Sequence, residues 1–183
     1  MASERVLDIA VSRYVLTSER PFQAVLDDIY GGISQPDIAA LFAKLAASPS
    51  YEEFSELVRQ AQGSAGLIRF LQLDLDAALA LDPQAPQAGR RLVRVIAGNP
   101  VTMGQMTRHL PAAGSYAPVT ILIEGLPDGG TRVAYDAVAS AIAPYGDAAA
   151  SQVAERLDTE VLSLLRHATG LPATATGTPA SAR

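Results

Sequence analysis

Apolar residues recur along this chain at two spacings, and the changes of spacing divide it into elements. Residues 5–16 alternate, with Leu7, Ile9, Val11 and Val15 on one face and Asp8, Ser12 and Tyr14 on the other, which predicts a strand. Phe22, Val25, Leu26 and Ile29 then fall at helical spacing. Thr17 or Ser18 is placed to cap that helix, Pro21 suits its first turn, and Gly31-Gly32 ends it. Two more stripes come next. Ile38, Leu41, Phe42 and Leu45 come after a Ser34 cap and Pro36. Phe54, Leu57, Val58 and Ala61 come after Ser48 or Ser50 and before Gly63. Residues 67–73 read as a second strand, and Asp74 is placed to cap a helical turn reaching Leu81. Residues 82–89 are a loop by composition.

Residues 90–137 carry most of the information. A β-branched strand over 91–97 is broken by Gly98, Asn99 and Pro100, which start a helix ending near Leu110. A strand over 117–126 is turned back by Pro127-Asp128-Gly129-Gly130 into a strand over 131–137. A helical turn is expected within 138–145. Asp147 then caps a long helix striped by Val153, Leu157, Val161, Leu164, Leu165 and Ala168, and Gly170 closes it. Residues 171–183 have no periodicity and are expected to be a disordered tail behind one domain of residues 1–170. Narrow apolar stripes cannot form a core alone, so the helices must lie on the strands. The expected class is α+β: a two-layer sandwich whose antiparallel or mixed sheet of about five strands is covered by helices.

Composition narrows the classes of function. A chain of 183 residues with 49% hydrophobic and 18% charged content is long and apolar enough for one packed core. A net charge of −5 offers no footprint for nucleic acid or an anionic membrane surface. There is no cysteine, so no disulfide, thiolate metal site or cysteine nucleophile exists. Glu4, Arg5, Asp8 and Arg13 interrupt any signal-like apolar run, and nothing approaches the roughly 18 apolar residues of a membrane helix. A cytoplasmic protein with no cofactor and no membrane partner is the expectation.

Few residues suggest chemistry. Met103, Met106 and His109 share a helical face and could offer soft ligands, but Met103, Met106 and Leu110 equally make a core stripe, and no metal is expected. No nucleophile elbow, phosphate loop or dinucleotide fingerprint is present. Asp136 follows Tyr135 at a strand end and Asp74 ends another strand, so a carboxylate with a phenol could transfer protons there. Each aspartate could instead cap the segment after it. Arg13, Arg69 and Arg94 fall mid-strand, where an arginine is most often a solvated outer-face residue, or else a snorkelling stem or an anion anchor; Arg69, with apolar neighbours on both sides, is the best exception. A ligand pocket is expected between the sheet and residues 101–110, built from Gly98, Asn99, Met103, Met106, Tyr116 and Arg69, near Tyr135 and Asp136. Gly98 leaves room there, Asn99-Pro100 opens a helix whose free amides favour an anionic or carbonyl group, and the methionines give adaptable walls; the alternative is that Asn99 only caps the helix and Gly98 only permits tight packing.

The order of these features resembles the domain-of-unknown-function family 302 (DUF302). The resemblance rests on Gly66 leading the strand Leu67 to Leu73 with Asp74 at its end, on Gly98-Asn99-Pro100, on the strand from Tyr116 through Pro118 to Glu124, and on Tyr135-Asp136 before a long final helix. It spans residues 6–168. Gln72 stands where the family carries the first acid of a pair, and Gly98 where cysteine is common. Residues 35–60 look like an inserted helical pair. The resemblance implies a small α/β sandwich that self-associates, and no known activity. Pro118, Thr120 and Leu122 make the outer strand face apolar, which also points to a homodimer. Three functions stay open: a small-molecule binding or sensing homo-oligomer, a cofactor-independent enzyme using Asp136 with Tyr135 or Tyr116, and a structural partner subunit.

Overall fold

The β-branched segments of the second half of the chain pair with their neighbours in sequence, and this meander is the floor on which the helices pack. The computed structural model describes residues 1–85 and 90–173. Its strands are β1 (Arg13–Ser18), β2 (Ile68–Asp74), β3 (Leu92–Gly98), β4 (Val119–Gly125) and β5 (Thr131–Asp136). Their spatial order is β1-β5-β4-β3-β2, and every pairing within the sheet is antiparallel. The helices are α1 (Phe22–Gly32), α2 (Ile38–Ala46), α3 (Tyr51–Ala61), α4 (Asp76–Leu79), α5 (Pro100–Thr107), α6 (Val138–Ile142) and α7 (Ala148–Thr169). Short 3₁₀ turns occupy Pro111–Ser115 and Ala143–Tyr145. This is the α+β sandwich that the spacing predicts.

Alternation decides which face is covered. Val93, Val95, Val119, Ile121, Ile123, Val133 and Tyr135 point to the helix side and are buried, each aliphatic one contributing about 1.5–3 kcal/mol. The stripe of α7 (Val153, Leu157, Val161, Leu165) and that of α1 (Val25, Leu26, Ile29) close this core, together with Met106 of α5. A smaller core forms where Leu41 and Leu45 of α2 and Val58 of α3 meet Ile68 at the start of β2. None of the described helices is long and apolar enough to cross a membrane.

Several local expectations are corrected. β1 begins at Arg13, not at residue 5, because its partner β5 ends opposite it at Asp136. Residues 1–12 form no helix or strand. The Ser18 hydroxyl does not cap α1; it donates to the Thr169 carbonyl at 2.7 Å. Asp37, not Ser34, caps α2, accepting from the Ala40 N–H at 3.0 Å. Ser34 is drawn into a parallel bridge with Ile68. Asp74 stays in β2 and accepts from the Gln72 amide at 2.6 Å, while α4 starts behind Leu75 without a side-chain cap. α5 stops at Thr107, and Pro111 opens the 3₁₀ turn after it. Ser50 and Asp147 cap α3 and α7, the former one of two serines the sequence offered. The expected tail lies largely outside the described residues.

Candidate functional site

The junction of β3 and α5 is built from small and turn-forming residues. Gly98 ends β3 where a Cβ would lie 3.1 Å from Phe70 Cε2 and 3.1 Å from Pro118 Cβ. Asn99 is extended at φ −135° and caps α5 from outside the helix. Its Oδ1 accepts from the Val101 N–H at 2.9 Å and the Thr102 N–H at 3.2 Å. Its Nδ2 donates to Gln62 Oε1 at 2.7 Å and to the Gly66 carbonyl at 2.9 Å. Asn99 therefore ties α5 to the end of α3 and to the residue leading into β2. Around this joint Phe70, Gly98, Met103, Met106, Pro118 and Leu157 line a recess of about 10 Å³, space for one water-sized sphere.

The expected pocket residues fall into separate places. Gly98, Asn99, Met103 and Met106 line this one recess. Arg69 lies elsewhere, on β2. Its guanidinium is 5.1 Å from the centroid of the Tyr30 ring, and Nη1 donates to Gln72 Oε1 at 3.2 Å. The Tyr30 hydroxyl donates to the same oxygen. Burial pushes the Tyr30 phenol above its ordinary range, and Arg69 partly opposes that. A register shift between Arg69 and Leu71 puts Arg69 and Gln72 on the same face, opposite Ala97 and Val95. Tyr116 turns to Tyr145, with hydroxyls 2.9 Å apart and rings edge-on at 6.3 Å. That contact, followed by burial, raises the Tyr116 phenol.

Tyr135 and Asp136 alternate along β5 and so face opposite sides of the sheet. Tyr135 is buried and donates to Asp158 Oδ1 at 2.5 Å. Asp136 is on the outer side, in a two-point ion pair with Arg13 at 2.6 and 2.7 Å. The hydrogen bond from Arg13 holds the Asp136 carboxyl below its ordinary value. Asp136 thus meets neither Tyr135 nor Tyr116. Of the methionine–histidine set, Met106 has no exposed surface, while His109 lies in solvent beyond the end of α5.

Asp158 is the polar centre that residue spacing left unnoticed. Its carboxylate accepts from Tyr135 Oη, from the Val138 N–H at 2.9 Å and from the Ala139 N–H at 2.9 Å. It supplies, from α7, the cap that Ala137 cannot give to α6. The signal was in the sequence: Asp158 lies one helical turn from both Ala154 and Leu162, inside the apolar stripe. A carboxylate at such a position needs partners.

The fold and this site define a two-layer α+β domain with α1, α5 and α7 packed on one face of an antiparallel meander and α2 and α3 at its β2 end. The chain belongs to the family described as domain of unknown function DUF302, whose model matches residues 43–166. A similar solved structure is that of an uncharacterized conserved DUF302 protein from Bacillus stearothermophilus. It superposes with a TM-score of 0.57 at 11% identity, over 85% of this chain and 97% of that one, a likeness of fold. No curated protein matches the sequence.

Proposed function

We propose that this domain is a small-molecule-binding module that works as a homodimer. The recess beside Gly98 carries the reading. It joins the end of a strand, the start of a helix and two methionine side chains, and most of its wall is apolar. Every donor and acceptor of the Asn99 side chain is already used, and Asn99 Oδ1 takes the first free N–H groups of α5. The ligand that suits the recess is therefore small and apolar, not an anion. At about 10 Å³ the recess is too small for such a ligand, so Met103, half-buried and unbranched, must move aside for one to enter.

The test is thermal unfolding with a panel of small apolar and aromatic compounds. A binder at one hundred times its Kd should stabilise the protein by about 2.7 kcal/mol, saturably. Gly98→Ala adds a Cβ against Phe70 and Pro118 and should remove that response while the protein remains folded. A panel without a saturable hit, or a response unchanged in Gly98→Ala, rejects the recess as the site.

The dimer is supported by the part of the outer sheet face that, among the described residues, lies away from the α2–α3 core. Val15, Ala134, Leu122, Arg94 and Leu73 make one row across it, and Thr120, Ile96 and Leu71 another. Val15 is 55% exposed and Leu71 47%, a partly apolar surface of the kind that association covers. Light scattering at micromolar concentration should return twice the chain mass of 19.1 kDa.

A further inference from the structure

Residues 5–11 carry a strand pattern that finds no strand partner among the described residues. Leu7, Ile9 and Val11 alternate with Asp8 and Ala10, yet this stretch precedes β1 and belongs to no element. Val6 is 79% exposed, Leu7 43% and Val11 45%. The last backbone tie is at Ser12, whose carbonyl accepts from the Ala137 N–H at 2.9 Å. Among the described residues β1 is an edge strand, paired with β5 on one side only. An alternating apolar segment thus runs directly into an open sheet edge.

We propose that residues 5–11 pair antiparallel with β1 of a second copy of this chain, so that two protomers exchange these segments and join their sheets edge to edge. The inference rests on the homodimer reading but places the contact at the β1 edge, not on the outer sheet face. A two-fold axis perpendicular to the sheet keeps each face on its own side, so odd-numbered residues can only lie opposite odd-numbered ones. That leaves a few registers, and charge chooses among them. An axis through Ser12 puts Arg5 opposite Glu19 of the second copy, Leu7 opposite Thr17, Ile9 opposite Val15 and Val11 opposite Arg13. An axis through Arg13 would set two arginines face to face. One through Val11 would set Ile9 against Arg13 and Arg5 against Thr17. The Ser12 register gives an opposite-charge pair and an apolar pair, each occurring twice by symmetry. It also extends the outer row Val15, Ala134, Leu122 by Ile9 of the second copy. Asp8 then falls opposite Leu16 on the helix side, at the rim of the joined sheet.

The test uses the full chain and variants whose folding is checked by circular dichroism. Wild type should scatter as a dimer, and removal of residues 2–10, which belong to no element, should return the 19.1 kDa monomer. Arg5→Glu and Glu19→Arg should each weaken dimerisation on the order of tenfold, and the double variant should restore it. The chain has no cysteine, so Ser12→Cys can cross-link only between copies; it should do so under mild oxidation, and Leu73→Cys, at the far edge, should not. A folded protein that still dimerises without residues 2–10 overturns the exchange and leaves the dimer standing. A monomeric wild type overturns both.

Discussion

Asp158 gives α6 what a capping side chain ordinarily gives from the residue before a helix, but from a distant element. Its oxygens satisfy two N–H groups at the start of α6 and the Tyr135 hydroxyl beneath them. Asp158→Ala should therefore cost about 2–4 kcal/mol in urea unfolding, since it leaves two buried donors and one part-buried donor without acceptors. Tyr135→Phe removes one of those donors and should cost about 1–2 kcal/mol. The two differ in their pH dependence. Burial, and then the charge of Asp158, raise the Tyr135 phenol above its ordinary 10.0. The folded protein keeps that proton where the unfolded chain releases it. The contribution is whole below about pH 10 and falls by about 1.4 kcal/mol per unit as pH rises beyond. Tyr135→Phe should flatten this alkaline loss; an identical slope in the variant would show that Tyr135 does not cause it.

Among the elements, stripes and turn residues were legible where local spacing determines the outcome. The stripes of α1, α2, α3 and α7, the Asn99 cap, the Gly170 closure and the β4–β5 hairpin all depend on neighbours within a few residues. Contacts between distant segments were not legible. Gly63 reads as a helix stop, but α3 has already ended at Ala61 with Gln62 behind it. Its deeper reason is that a Cβ there would lie 2.4 Å from the Gly32 carbonyl oxygen and 2.6 Å from the Ser34 amide nitrogen. Two backbones cross at that point, and neither can yield as a side chain can. Gly63→Ala should thus destabilise by about 1–3 kcal/mol, whereas Gly104→Ala, with open space around it, should stabilise α5 by about 0.5–1 kcal/mol. Comparing the two denaturation midpoints checks both. The candidate site was legible only in part for the same reason. Gly98, Asn99, Met103 and Met106 are near in sequence and gather at one recess, while Arg69 and Tyr116 are placed by Tyr30 and Tyr145, which no spacing rule joins to them.

For the whole molecule, the order of strands in space nearly repeats their order in sequence, with one exception. β2, β3, β4 and β5 succeed one another across the sheet, but β1 closes onto β5. Native-state hydrogen exchange should find β3, β4 and β5, paired on both sides, slower than the edge strand β2. Equal protection in β2 and β4 would contradict this. The exception also bears on how the chain is made. Arg13 and Asp136, opposite each other in the finished sheet, are 123 residues apart in the chain. A ribosome releases the first strand long before the strand that receives it, so throughout synthesis the nascent segment has its apolar alternation exposed and no native place to go. Under the exchange proposed above, the open β1 edge of a finished copy takes residues 5–11 of the nascent chain during that interval.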